Sequence, residues 1–396
     1  MNQRFQEMMH TELNRLDNEG LSVRIRTLDS EQGPACTIDG KYVVNLAANN
    51  YLGMIGRRDV KEAAKKAIDE FGVGAGAVKT IIGNTRLIVE AEKKLAGFKD
   101  VEDVLMYQGG LTANSGTIPA VVHDGDVIFS DELNHASIID GCRLSRAKIV
   151  PFKHCDVASL EEKVKEYEGQ PGTKMVVTDG VFSMDGDIAP LADIVDVAKK
   201  FGLVTMVDDA HGEGVLGDHG RGIVNHFHLE GEVDIEVGTL SKAFGVVGGY
   251  AAGSHTLVEF LKNKSRPILF SSSMTPADAG AILKVVDILM ESDDLVRKLW
   301  ENAAYFKAKM KSFGFDTWRS ETPITPVIIG DSQLAKNLSS KLFEKGVFAQ
   351  SLGFPTVPQG LARIRCMLCS AHTKDQLDFA ADAFHESAVE LGILRS

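Results

Sequence analysis

The run Gly238-Thr239-Leu240-Ser241-Lys242-Ala243-Phe244-Gly245 decides how this chain is read, and Asp208-Asp209-Ala210-His211 completes it one predicted strand upstream. A lysine among hydroxyls and small residues, just past a strand, suits an imine with an aldehyde cofactor. An acid closing an earlier parallel strand suits the ring nitrogen of that cofactor. Asp208, His211, Thr239 and Lys242, in that order, point to pyridoxal phosphate (PLP), held by a Schiff-base lysine with an aspartate at its pyridinium.

Outward from Lys242, short apolar runs alternate with helical patterns. Candidate strands are 104–107, 127–130, 148–152, 175–179, 203–208, 235–239 and 250–252, with helices such as 160–167 and 191–201 between them. The alternation predicts an α/β fold, a mostly parallel sheet with helices on both faces. Ligands bind such sheets at the carboxyl ends of the strands, where Thr178-Asp179, Asp208-Asp209 and Thr239 all fall. Upstream, Phe5, Met8, Met9, Leu13 and Leu16 recur at helical spacing, a hairpin turns at Asp39-Gly40, and a helix over 60–71 ends at Gly72. Downstream, Thr275-Pro276 opens a long helical stretch to about residue 313, followed by strands at 327–329 and 362–366 and a closing helix over 374–391. We therefore expect an N-terminal helix and hairpin arm (1–55), a large cofactor domain (56–291) and a smaller α+β C-terminal domain (292–396).

The charge balance, 43 basic against 55 acidic residues and −12 net, argues against nucleic acid or an anionic membrane as a general partner. No stretch approaches the ~18 apolar residues of a membrane span, and no apolar run follows the start as in a secretory signal. The expected location is cytoplasmic. The five scattered cysteines do not form a disulfide framework. Neither Cys366-Met367-Leu368-Cys369 nor His226-Phe227-His228 has the further ligands a metal site needs, so no metal is expected.

Other strand ends carry chemistry too. Gln108-Gly109-Gly110-Leu111-Thr112-Ala113-Asn114 follows a strand and opens a helix, where free amides bind phosphate. Gly72-Val73-Gly74-Ala75-Gly76 follows a helix instead, which argues against a dinucleotide fingerprint. His135, just past another strand, suits stacking on an aromatic cofactor and proton transfer. Ser183 suits a donor to a cofactor phenolate.

Together these motifs resemble the α-oxoamine synthases, PLP enzymes of fold type I, from Asn49-Asn50-Tyr51-Leu52-Gly53 to Ala371-His372-Thr373. Within that family the chain looks most like the glycine C-acetyltransferases, also called 2-amino-3-ketobutyrate CoA ligases. Residues 133–141, Ser265-Arg266-Pro267-Ile268-Leu269-Phe270-Ser271 and Phe354-Pro355-Thr356-Val357-Pro358 carry that likeness. The resemblance implies condensation of glycine with acetyl-CoA, reversible in threonine breakdown. Lys242 would hold PLP and then deprotonate bound glycine, and Asp208 would keep the ring nitrogen protonated. His211 and Ser183 would bond the ring oxygen, and His135 would stack on the ring. The Gly110 and Leu111 amides and Thr239 would hold the phosphate. Ser271 and Ser272 would reach the phosphate of a second subunit, implying a homodimer with shared active sites. Asn49 and Arg365 would hold the substrate carboxylate, a task that suits a bidentate arginine.

Four positions depart from the family pattern: Leu111 beside the phosphate glycine, Lys79 for an arginine, Asn84 for a threonine and Ile88 for a histidine. At Leu111 a backbone amide still serves the phosphate; lysine cannot copy arginine's planar fork, and the other three, clustered between Ala77 and Ala91, bear on the acyl-CoA side or the entry channel. The nearest alternative is 8-amino-7-oxononanoate synthase, which joins alanine to pimeloyl-CoA with the same PLP machinery. A catalytically silent regulatory homologue would have lost the lysine or the aspartate. A nicotinamide dehydrogenase would need a glycine run placed after a strand.

Overall fold

The strand runs of the sequence are too apolar for an open surface. Val127–Asp131 and Ile235–Thr239 are buried at every position, and Lys174–Asp179 and Val204–Asp208 at all but the first. Strands buried on both faces belong in a parallel sheet covered by helices. The computed structural model describes residues 2–19 and 21–395 and contains such a sheet. In chain order the strands are β1 (Ala35–Ile38), β2 (Lys41–Asn45), β3 (Asp103–Tyr107), β4 (Val127–Asp131), β5 (Lys148–Phe152), β6 (Lys174–Asp179) and β7 (Val204–Asp208). They continue with β8 (Ile235–Thr239), β9 (Gly249–Gly253), β10 (Ile324–Gly330), β11 (Val347–Phe348), β12 (Gln350–Leu352) and β13 (Ala362–Met367).

The central sheet has seven strands in the order β3-β9-β8-β7-β6-β4-β5. Only β9 runs antiparallel to its neighbours, pairing with β3 and β8. Side chains alternate between the two faces with period two. Leu105 and Tyr107 join one apolar cluster with Ile128, Val177 and Val237. Val104 and Met106 join another, on the opposite face, with Val207 and Tyr250. This is the expected α/β sheet of PLP fold type I, and it brings the ends of β3, β4, β6, β7 and β8 to one edge.

Two small sheets lie outside it, β1-β2-β11 and β10-β13-β12. The helical stretch expected from Thr275 to about 313 is two helices, Pro276–Glu291 and Asp294–Ser312. Ser292 adopts an extended conformation between them, and its hydroxyl accepts from the Asp294 amide at 3.0 Å. That local hydrogen bond competes with the helix and restarts it. The N-terminal helix, Gln3–Asn18, buries none of its side chains. Among the described residues no helix is long and apolar enough to cross a membrane.

Candidate active site

Each strand at the active edge hands over to a short turn carrying one polar group. After β3, Gly109 and Gly110 begin the helix Gly110–Val121. Their lack of side chains is a requirement of packing. A Cβ on Gly110 would lie 3.0 Å from the Thr239 Cβ, and one on Gly249 would lie 2.5 Å from the Gly109 carbonyl carbon. The first-turn amides of that helix have no intrahelical partner and lie against Thr239 at the end of β8. The Thr239 hydroxyl is 2.9 Å from Ser241 Oγ and 3.1 Å from the Gly248 carbonyl oxygen. Leu111 is 63% exposed, so its side chain is no part of this packing.

Asp208 ends β7 and is buried. It accepts from Asn114 Nδ2 at 2.6 Å and from the Ala210 amide at 2.9 Å. The same Asn114 nitrogen donates to Ser137 Oγ at 2.9 Å, and that hydroxyl lies 2.7 Å from His135 Nδ1. The His135 amide donates to Asp179, the last residue of β6, at 2.6 Å. A continuous polar chain thus joins three strand ends. Burial pushes the His135 imidazole below its usual range, opposed by Asp208, and burial pushes the Asp179 carboxyl well up.

His211 is 7% exposed, and its Nδ1 lies 2.8 Å from the Tyr51 hydroxyl. Burial, aided by the positive charges of Lys242 and Arg365, holds its pKa well below the ordinary value. It is a neutral imidazole at physiological pH. Lys242 is lowered to about 8, burial outweighing the pull of Asp208 and Asp179. Among the described residues its amine has no hydrogen-bond or ion-pair partner. A depressed, unpartnered amine is the form that attacks an aldehyde.

From the C-terminal part, β13 sends two arginines toward this edge. Arg363 is 1% exposed and paired with Asp185. Among the described residues Arg365 has no carboxylate partner, and its Nη1 donates to the Ser183 carbonyl oxygen at 3.3 Å. The side-chain oxygen of Asn49 is buried with no hydrogen-bond partner among the described residues. An uncommitted guanidinium and an orphaned amide oxygen are what a site for a zwitterionic amino acid leaves open. Ser271 and Ser272 are exposed, with the Ser272 carbonyl accepting from Gln108 Nε2 at 2.6 Å.

Sequence reasoning left Tyr51 and Asn114 without a role, although both lie inside quoted motifs. Their signal is a polar residue fixed within a motif at a strand end. A second group had no signal. Lys99 is buried against Asp209 and Glu236, with its ammonium also on the Arg221 carbonyl oxygen. Nearby, Tyr250 donates to Glu213 at 2.9 Å. This cluster underlies the turn that carries Asp208 and His211.

A depressed lysine amine beside a buried aspartate, a helix N-terminus packed on a threonine and an open arginine fork together fit PLP. They define a PLP-dependent enzyme of fold type I. Residues 41–384 match the family described as aminotransferase class I and II. An 8-amino-7-oxononanoate synthase from Thermosipho melanesiensis is 56% identical over 383 residues, covering 97% of this chain and 98% of that protein. One from Coprothermobacter proteolyticus is 55% identical, covering 98% and 99%. Among solved structures, a serine palmitoyltransferase variant from S. paucimobilis with bound PLP-myriocin aldimine superposes over the full length of both chains. It is 30% identical, with a TM-score of 0.93. The chain belongs to the α-oxoamine synthases, and its cofactor is PLP.

The expectation of a glycine C-acetyltransferase using glycine and acetyl-CoA is corrected by these relatives, which bear the name of the other branch. The structure explains part of the misreading. The Ser265-Arg266-Pro267 stretch is set by packing. Ser265 is fully buried and accepts from the Tyr107 hydroxyl at 3.0 Å, and a Cβ on Gly116 would lie 3.0 Å from Pro267. Such residues record how a helix is seated and carry no information about the acyl group. Three of the departures from the family pattern share one region. Lys79 pairs with the buried Glu92, Ile88 is buried in the helix Arg86–Lys99, and Asn84 lines a cleft of about 660 Å³ with Lys79 and Lys262.

Proposed function

We propose that the protein condenses L-alanine with a pimeloyl thioester to give 8-amino-7-oxononanoate. The product has one carbon fewer than the two substrates together, so the amino acid's carboxyl leaves as carbon dioxide and the thiol is released. The observation that carries this reading is an unpartnered Lys242 amine facing an uncommitted Arg365, in a chain more than half identical to curated enzymes of that name. Bound PLP supplies an electron sink for the carbanion formed at the amino acid's α-carbon.

The chain's own residues do the rest. Asp208, oriented by Asn114, holds a proton on the ring nitrogen. With the Tyr51 hydroxyl donating to Nδ1, His211 keeps its proton on Nε2 and offers it, beside Ser183, to the ring oxygen. His135 packs against the ring. The Gly110 and Leu111 amides and Thr239 hold the phosphate, joined by Ser271 and Ser272 of a second copy. Asn49 and Arg365 hold the alanine carboxylate. Lys242 Nζ takes and returns the α-proton. Five free thiols, four of them buried, suit a reducing cytoplasm.

The test is thiol release by the PLP-loaded protein, comparing L-alanine plus pimeloyl-CoA with glycine plus acetyl-CoA. Faster release with the first pair is expected. Preference for the second would overturn the substrate reading.

A further inference from the structure

Arg363 and Arg365 stand two apart on β13, so their side chains leave the same face. They grip one short segment. Arg365 Nη1 donates to the Ser183 carbonyl oxygen at 3.3 Å, and Arg363 Nη1 to the Met184 carbonyl oxygen at 3.0 Å. Arg363 Nη1 also pairs with Asp185 Oδ1, while its Nε donates to the Leu361 carbonyl oxygen at 3.0 Å. The far side of the segment is held as well. The Gly186 carbonyl oxygen accepts from the Glu321 and Thr322 amides at 3.0 and 3.1 Å and from the Thr322 hydroxyl at 2.9 Å. Arg319 bridges Asp185 at 3.3 Å and Asp187 at 3.1 Å.

The Arg363–Asp185 pair is almost wholly buried, its side chains 2% and 10% exposed. A buried ion pair returns little net stability, because both charges lose their hydration. What it does provide is direction, since a guanidinium fork bonds only along its own plane. Here that direction runs along the backbone of Ser183 and Met184, beside Arg365, which has no carboxylate partner among the described residues.

We propose that Arg363 and Asp185 are positioning residues that lock the Ser183 turn to Arg365, so that the contact to the cofactor's ring oxygen and the contact to the amino acid's carboxylate are set by one rigid unit. The proposal rests on the assignment of Arg365 to the carboxylate. It does not depend on which amino acid is used, because every α-amino acid presents that group.

Removing one partner leaves a buried charge unpaired and risks unfolding, so the decisive variant is the double replacement Asp185→Leu/Arg363→Met, accompanied by Arg363→Lys. Two quantities are read on PLP-loaded protein: the absorption spectrum without substrate, and the dissociation constants of glycine, L-alanine and L-serine from spectral titration. The expected result for the double variant is a shifted spectrum with all three amino acids weakened by about tenfold, at a melting temperature close to wild type. Arg363→Lys should recover part of both. The KM for pimeloyl-CoA should stay unchanged. A double variant with wild-type spectrum and affinities would overturn the proposal, as would a change in only one of the two readouts. Equal weakening of the three amino acids tests the locking pair. A preference among them in the wild type tests the substrate reading, so the two can fail separately.

Discussion

The Tyr51 hydroxyl and His211 Nδ1 are 2.8 Å apart in a pocket where the tyrosine is fully buried and the histidine 7% exposed. Tyr51 lies ahead of β3 and His211 just after β7, so a contact between distant parts of the chain engages Nδ1 and leaves Nε2 for the cofactor side. Tyr51→Phe removes that constraint without changing shape. Turnover should fall about tenfold while stability drops by about 1 kcal/mol, the usual net value of one hydrogen bond. Steady-state kinetics and thermal melting on the same preparation check both.

Lys242, lowered to about 8, makes cofactor capture pH-dependent. Only the free amine forms the imine. At pH 7 about a tenth of it is free, and near pH 9 almost all is. The rate at which apoprotein captures PLP should therefore rise about tenfold between these values and then level off. Lys242→Ala should show no borohydride-trapped adduct at any pH. Stopped-flow absorbance and mass after reduction give the two readouts. A rate still climbing beyond pH 9 without levelling would mean that the amine keeps the ordinary lysine pKa and is not desolvated.

The edge that carries Lys242 was legible because strand ends and chemistry coincide in the sequence. Asp208 and Thr239 close apolar runs, and the glycines at 109 and 110 follow one. Ser292 was not legible as a break, because serine is common in helices and only its bond to the Asp294 amide ends this one. The charges beneath the site were hidden for another reason. Lys99 closes a helix where a solvated lysine is ordinary, and its partners Asp209 and Glu236 are more than a hundred residues away. Acyl selectivity was least legible: of the residues that seemed to report it, Ser265 is buried for packing while Phe270 and Phe354 are exposed, and neither environment encodes an acyl chain.

That hidden cluster has a measurable pH signature. Burial, against the attraction of Lys99, raises Glu213 to about 8 from 4.5 and Glu236 to about 7. A carboxyl raised in the folded state binds more protons there than when unfolded. Its contribution is fully present below about pH 4.5 and is lost as pH rises through about 8. Glu213→Gln, which stays neutral, should melt higher than wild type at pH 9 and no higher at pH 5. Lys99→Met should cost about 3–5 kcal/mol at neutral pH, because it strands the carboxylates. Melting curves across pH decide both.

His154 loses its contribution in the same direction, but from a charged form and at higher pH. Its ring nitrogens lie 3.0 Å from Asp131 and 2.8 Å from Asp187. Burial opposes its charge, but the two carboxylates win and raise it to about 11. For a histidine raised in the folded state, the stability is complete below about pH 6.5 and is lost as pH climbs toward 11. His154→Gln should thus cost about 3 kcal/mol at pH 6, and the gap to wild type should narrow steadily toward pH 10. A gap independent of pH would mean that the imidazole is neutral and only packs, as its edge-on contact with Phe182 would allow.

The apolar side chains beside the site bear on assembly. Ile81 and Ile82 are each 78% exposed, and Phe270 is 69% exposed. Their segments are joined, since Val78 bridges Ser272 and the Ser273 amide donates to the Ala77 carbonyl oxygen at 3.0 Å. A contiguous patch of this kind marks a surface that another protein covers. It borders Ser271 and Ser272, which are exposed. Light scattering should give the mass of two chains. Replacing Ile81 and Phe270 with aspartate should yield a folded monomer that holds PLP at least tenfold more weakly, as the proposed contribution of Ser271 and Ser272 from a second copy requires. A monomer that binds PLP as tightly as wild type would remove Ser271 and Ser272 from the site.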